Sequence, residues 1–92
     1  MTYAIALHDD ARRDLEGVPA NVRRRILKAV EQRLSVYPAQ YGLRLRQSLA
    51  GLWKIRVGDY RIVYELTPGQ VMVWAILNRK DVYPQVSRRW LQ

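Results

Sequence analysis

A chain of 92 residues has room for one domain and one principal core, so residues 1–92 are expected to fold as a single unit. Lys and Arg number 16 against 8 acids, for a net charge of +8, with 49% hydrophobic and 26% charged residues. That composition suits a globular rather than a disordered chain, and its charge attracts polyphosphate, an anionic membrane or an acidic protein unless it is simply a soluble basic surface.

Cysteine is absent, which removes any disulfide framework and thiolate chemistry. The opening MTYAIALHDD runs from a short apolar stretch straight into acids, too brief for a signal peptide. No run approaches the ~20 apolar residues of a membrane span. A cytoplasmic protein with no membrane partner is expected. The charge is unevenly spread. Residues 1–16 hold Asp9, Asp10, Asp14 and Glu16 with two arginines, a net of −2, which leaves +10 for the remainder.

Tyr3, Ile5 and Leu7 alternate with small residues and predict a first strand. Asp9 is placed to N-cap a short helix through about Glu16, which Gly17-Val18-Pro19 ends. Pro19 suits the first turn of a second helix that runs to about Tyr37 and stops before Pro38. Val22, Ile26, Val30, Leu34 and Tyr37 form its apolar stripe, with Leu27 beside them.

From residue 43 the period changes from helical to two. Leu43, Leu45, Gln47 and Leu49 alternate with Arg44, Arg46 and Ser48, which predicts a strand. Three more follow: Leu52–Val57, Tyr60–Leu66 and Val71–Leu77. They are joined by a Gly58-Asp59 hairpin turn and a Thr67-Pro68-Gly69-Gln70 turn. The last of these strands is apolar on both faces, with Val71, Val73 and Ala75 against Met72, Trp74 and Ile76, and so belongs in the sheet interior. A polar loop, Asn78 to Asp81, leads to a short helical or irregular end that Trp90 anchors. The order β-α-α-β-β-β predicts an α+β domain. Its sheet is mostly antiparallel, with two N-terminal helices on one face and a short C-terminal helical segment.

The hairpin concentrates charge. If Gly58 and Asp59 form its two-residue turn, Val57 pairs with Tyr60 and Arg56 with Arg61. Lys54, Arg56 and Arg61 then share one face. The other face collects Trp53, Ile55, Val57, Tyr60, Ile62, Tyr64 and Leu66, a core surface. Glu65 shares the cationic face but pairs near Leu52, at the far end. Cations directly opposite one another destabilise a sheet, so an anion or a partner's carboxylates over the cluster would relieve the repulsion. Three solvated charges on an exposed sheet are the plainer alternative. Trp74, predicted on the same face, argues against it, because cations beside aromatics are what single-stranded RNA recognition uses.

One histidine, His8, stands at the end of the first strand, where capping is its ordinary role. A zinc site or a histidine-pair nuclease needs more donors than this. The acids show no pairing suited to magnesium. No metal and no organic cofactor are expected. If the protein acts on phosphates, Lys, Arg and Tyr carry the chemistry. Metal-free RNA cleavage permits this, since the 2′-OH itself is the nucleophile.

The stretch Leu49–Leu66, LAGLWKIRVGDYRIVYEL, resembles the signature of the RelE/ParE toxin superfamily, and VWAILNRKDVY resembles its closing strand, basic loop and tyrosine. RelE-type members are ribosome-dependent ribonucleases that cleave mRNA in the A site and are neutralised by a small antitoxin. ParE-type members poison DNA gyrase and lack the full catalytic set. A family member that binds RNA or its antitoxin without turnover is a third form. The resemblance implies that Lys54 or Arg56 helps remove the 2′-OH proton and that Arg61 stabilises charge on the phosphate. It further implies that Arg79 or Lys80 assists the leaving oxygen, while Tyr83 orients or stacks on substrate. Tyr83 alternatively anchors the terminal segment through its ring and hydroxyl. Arginine is a poor general base, since its pKa exceeds 12. Arg44, Arg46, Trp74 and Lys80 complete the residues expected to bind substrate. The partners implied are a small acidic antitoxin, mRNA and the ribosome.

Overall fold

The computed structural model describes residues 2–91. It contains β1 (Ala4–Leu7), α1 (Asp9–Glu16), α2 (Ala20–Ala29) continued by a π turn (Val30–Leu34), and α3 (Pro38–Tyr41). Then come β2 (Leu43–Arg44), a 3-10 turn (Gln47–Leu49), β3 (Leu52–Val57), β4 (Tyr60–Thr67), β5 (Gln70–Asn78) and α4 (Val82–Trp90). The sheet order is β1-β5-β4-β3-β2. β1 runs parallel to β5 and every other pairing is antiparallel.

The expected hairpin holds residue for residue, with Val57 opposite Tyr60, Arg56 opposite Arg61 and Leu52 opposite Glu65. Gly58 takes φ 60° in its turn and Gly69 takes φ 76° in the next, the left-handed values those turns demand. β5 lies between β1 and β4, as its two-sided apolar pattern requires.

Helices α1 and α2 cover one face. Ala11, Ile26, Val30 and Leu34 bury there against Ile55, Val57, Ile62, Tyr64, Val71, Val73 and Ile76. The other face is partly covered by α4, whose Val82 and Val86 bury Leu52, Val63 and Ala75. The sheet therefore has helices on both sides, and the cationic face is open only beyond the reach of α4.

Several local expectations need correcting. His8, not Asp9, caps α1: its Nδ1 accepts the Asp10 N–H at 3.2 Å. The second helix does not run regularly to Tyr37. The π turn shifts its phase, so Tyr37 beyond it is 54% exposed although Leu34 is fully buried; Leu27, ahead of the turn, is 46% exposed. The strand expected over 43–49 stops after Arg44, because the backbone turns at Gln47 to drop Leu49 into the α4 cluster. Leu43, the first of that alternating set, is 66% exposed.

A bulge alters β5. Val63 pairs with Ala75 but Tyr64 pairs with Val73, so Trp74 is an extra residue and the alternation inverts beyond it. Ile76 consequently joins Val71 and Val73 in one cluster, while Ala75 joins Trp74 and Leu77 in the other. Strict alternation had set Ala75 with Val71 and Val73.

Tyr64 ties α3 to the sheet. Its ring is fully buried and its hydroxyl donates to the Pro38 carbonyl at 2.6 Å. A Cβ at Gly42 would lie 1.9 Å from that oxygen and 2.9 Å from the same carbonyl. Gly42→Ala is therefore expected to eject the phenol and lower stability by about 2–3 kcal/mol, as overpacking and a lost buried hydrogen bond combine; urea unfolding measures it.

Burial also pushes the Tyr64 phenol well above its ordinary value of 10.0. The folded state then holds this proton more tightly than the unfolded chain, so its contribution is intact below about pH 10 and is lost as pH rises further. The urea midpoint of the wild type is expected to fall more steeply from pH 9 to 11 than that of Tyr64→Phe, which lacks the ionising group.

Candidate nucleic-acid interface

The cations of the hairpin are aimed by β3 and β4 and held by the turn between them. Arg56 Nε and Arg61 Nη1 both donate to the Gly58 carbonyl, each at 3.2 Å, and Arg61 also reaches the Tyr60 carbonyl at 3.1 Å. A backbone oxygen thus stands in for part of the missing counter-charge. Arg79 meets the same turn from the other side: its backbone N–H donates to the Asp59 carbonyl at 2.8 Å. Its guanidinium lies 4.0 Å from the Asp59 carboxylate, both groups being exposed, a separation at which the pair contributes little.

Lys54 stands one alternation further from the tip and is half-buried. Its ammonium donates to the Tyr83 hydroxyl at 2.5 Å and lies 5.2 Å from the centre of that ring. Tyr83 opens α4 and is 42% exposed. Its hydroxyl is engaged by a cluster cation rather than by the backbone, so the tyrosine belongs to the charged surface and anchors α4 at once.

Two concavities meet at Lys54. One of about 400 Å³ is lined by Arg33, Tyr41, Leu43, Lys54, Ile55, Arg56 and Arg61. The other, of about 590 Å³, is lined by Leu43, Arg44, Leu45, Arg46 and Lys54. Arg44 packs its guanidinium 4.9 Å from the Trp53 ring centre. The structure therefore brings Lys54, Arg56, Arg61, Arg44 and Arg46 onto one continuous surface, with Tyr83 touching it.

Trp74 is not among the residues lining this cleft. It stacks on His8 at 4.6 Å, meets Trp90 edge-on at 5.4 Å, and donates its indole N–H to Glu65 at 3.3 Å. Lys80 sits at the exposed end of the β5–α4 loop, where its N–H donates to Asn78 Oδ1 at 3.0 Å.

Sequence reasoning missed Arg33 and Tyr41. Arg33 Nη1 donates to the Arg56 carbonyl at 3.4 Å, and its guanidinium lies 5.8 Å from the Tyr41 ring centre. The Arg56 carbonyl is free for this because β2 pairs with β3 only at Trp53 and Lys54. Arg33 lies within the π turn, which changes the helical phase there, and nothing in the residue pattern announces a π turn.

Residues 5–83 match the family described as the ParE toxin of the type II toxin–antitoxin system parDE. The chain belongs to this toxin family. The toxin is 31% identical over 85 residues to toxin RelG of Mycobacterium tuberculosis, covering 90% of this chain and 98% of that protein. It is 36% identical over 83 residues to toxin RelE of the same organism, covering 88% and 86%. Among solved structures, the toxin–antitoxin complex RelBE2 of M. tuberculosis aligns with TM-score 0.81 and 28% identity, over 86% of this chain and 100% of that one. A mutant of E. coli toxin RelE in the free state aligns with TM-score 0.77 over 99% of this chain and 96% of that one, and its 18% identity shows a shared fold. The α+β fold expected from the sequence is thus the RelE-like fold, and the chain is the toxin member of a type II toxin–antitoxin system.

Proposed function

We propose that this toxin is a metal-independent endoribonuclease that cleaves mRNA in the ribosomal A site and that a small acidic antitoxin neutralises it. The observation that carries the reading is the Lys54–Tyr83 contact at 2.5 Å, set beside Arg56 and Arg61 in a cleft of about 400 Å³. An amine, a phenol and fixed guanidinium groups converge where a phosphodiester fits. A catalyst using the substrate's own 2′-OH needs these groups and no others.

In this reaction the 2′ oxygen bonds to the adjacent phosphorus, its proton passes to a base, and the bond to the 5′ oxygen breaks as that oxygen takes a proton from water. The products are a 2′,3′-cyclic phosphate and a 5′-hydroxyl. Lys54, once its ammonium has released a proton to give the neutral amine, serves as the base, since arginine cannot give up a proton under these conditions. Arg61, with Arg56, stabilises the phosphorane charge. Arg79 hydrogen-bonds the departing oxygen from the turn, and Tyr83 orients Lys54 and the substrate. Arg44 and Arg46 continue the phosphate path, with Lys80 and Trp74 at its periphery.

The family's description as a ParE toxin supports a second reading, in which the target is DNA gyrase and the cationic face serves the antitoxin alone. Primer extension on actively translated mRNA separates the two. Wild-type protein is expected to give breaks within A-site codons, with gyrase supercoiling unaffected. Intact message together with inhibited supercoiling would establish the second reading instead.

A further inference from the structure

On the helical side of the cleft lies another concavity, of about 240 Å³, lined by Arg25, Lys28, Ala29, Gln32, Arg33, Arg56, Val57 and Gly58. It shares Arg33 and Arg56 with the cleft that holds Lys54, so the two adjoin around the open edge of β3. Arg25 lies against the hairpin turn: a Cβ built on Gly58 would stand 3.5 Å from its guanidinium. Arg25 and Lys28 are exposed, one helical turn apart on α2.

Among the described residues, none of Arg25, Lys28, Arg33 and Arg56 forms an ion pair with a carboxylate. Three other arginines of the helical layer are engaged within it. Arg12 and Arg13 pair with Asp9 and Asp10 at 3.2 and 2.9 Å, and Arg23 donates to the Val18 carbonyl at 3.0 Å. The groove gathers four cations without ion pairs and focuses their field into a concave surface.

We infer that the groove of Arg25, Lys28 and Arg33 holds the phosphodiester backbone of the single-stranded RNA that flanks the bond set at Lys54. The inference rests on the ribonuclease reading and extends it to nucleotides outside the reacting pair. Two features select RNA over an acidic protein segment. The lining offers cations and small aliphatic side chains, with no apolar socket for the anchor that a protein segment brings. The adjoining cleft also carries Tyr41, 54% exposed and beside Arg33, where the next base can stack.

Binding of a short single-stranded RNA bearing 2′-O-methyl groups throughout, and hence uncleavable, tests this without reference to cleavage. Fluorescence anisotropy across a salt series compares wild type with Arg25→Gln/Lys28→Gln. A charge-matched Arg12→Gln/Arg88→Gln variant controls for net charge, and thermal melting confirms that all three are folded. The groove variant is expected to bind at least tenfold more weakly. Its slope of log affinity against log salt should shrink by about 1.4, the share of two phosphate contacts on a single strand. The control should lose no more than about a third of that.

Equal losses in both variants, or an unchanged slope in the groove variant, would overturn the inference. So would unaltered RNA binding combined with lost binding of a polyglutamate probe, which assigns the groove to an acidic protein. Wild type that binds RNA through the groove but leaves translated mRNA intact removes the nuclease reading and keeps the groove.

Discussion

Asp14→Ala is expected to destabilise the fold by about 2–3 kcal/mol, just below the scale of breaking one side of a fully buried ion pair. The reason is the position of the pair at the edge of β5. β1 ends at Leu7, and the His8 N–H makes the last bond to the Val73 carbonyl. Beyond that point β5 has no strand on this side. Asp14 takes over by accepting the Ile76 N–H at 3.0 Å, and Arg89 by donating to the Trp74 carbonyl at 3.1 Å. The two side chains join each other through bonds of 2.7 and 3.0 Å, and their exposures are only 9% and 15%. The bond to Asp14 holds the Arg89 guanidinium further above its ordinary value, against its burial.

Alanine at 14 would leave Arg89 with only its looser contact to Asp10 at 3.8 Å and would strand one backbone donor. A domain of this size has about 5–15 kcal/mol in total, so the loss would be visible as a large drop in urea midpoint. Asp14→Asn keeps an acceptor for Ile76 and should cost less. A double-mutant cycle with Arg89→Ala should return a coupling of about 1–3 kcal/mol; additive losses would show that the pair does not act as a unit. The consequence reaches the site, because Arg89 lies in the last turn of the helix whose first turn carries Tyr83.

The legible parts of this chain were those governed by local periodicity. The register of β3 on β4 followed from a two-residue turn and strict alternation, and it placed Lys54, Arg56 and Arg61 together before any tertiary contact was considered. The cap of α1 was legible only in part, since a strand-end histidine ordinarily caps but Asp9 fits the same position by residue type. Three features were not legible. The bulge at Trp74 adds a residue without changing composition, so alternation assigned Ala75 and Ile76 to the wrong faces. The π turn at Val30–Leu34 changes the helical phase at Arg33, which joins the cleft at the open edge of β3, and exposes Tyr37. The Asp14–Arg89 pair spans 75 residues, and no local pattern links an acid in the first helix to an arginine in the last. Irregularities and long-range polar contacts thus supplied what period and propensity could not, and they complete the cleft and fix α4 beside it.

Lys54→Ala is expected to reduce A-site cleavage by roughly 10²-fold or more, equivalent to about 2.7 kcal/mol of barrier, while leaving the protein at least as stable. The second half of the expectation carries the discrimination. Lys54 makes no ion pair among the described residues and stands on the face of Arg56 and Arg61, where like charges repel. Its removal costs one exposed hydrogen bond to Tyr83 and relieves that repulsion, so the urea midpoint should hold or rise slightly. A structural lysine would show the reverse: lower stability with activity falling in proportion. Tyr83→Phe removes the hydroxyl that accepts from Lys54 but keeps the ring 5.2 Å from the ammonium. It should cost about tenfold, and in combination with Lys54→Ala it should add little, because a hydroxyl that acts by orienting the amine has nothing left to orient. Full additivity would mean that Tyr83 contacts the substrate independently. Arg61→Ala completes the set: loss of phosphorane stabilisation lowers the rate at saturating ribosomes, whereas a cation that only gathers RNA would raise the half-saturating concentration and leave that rate intact.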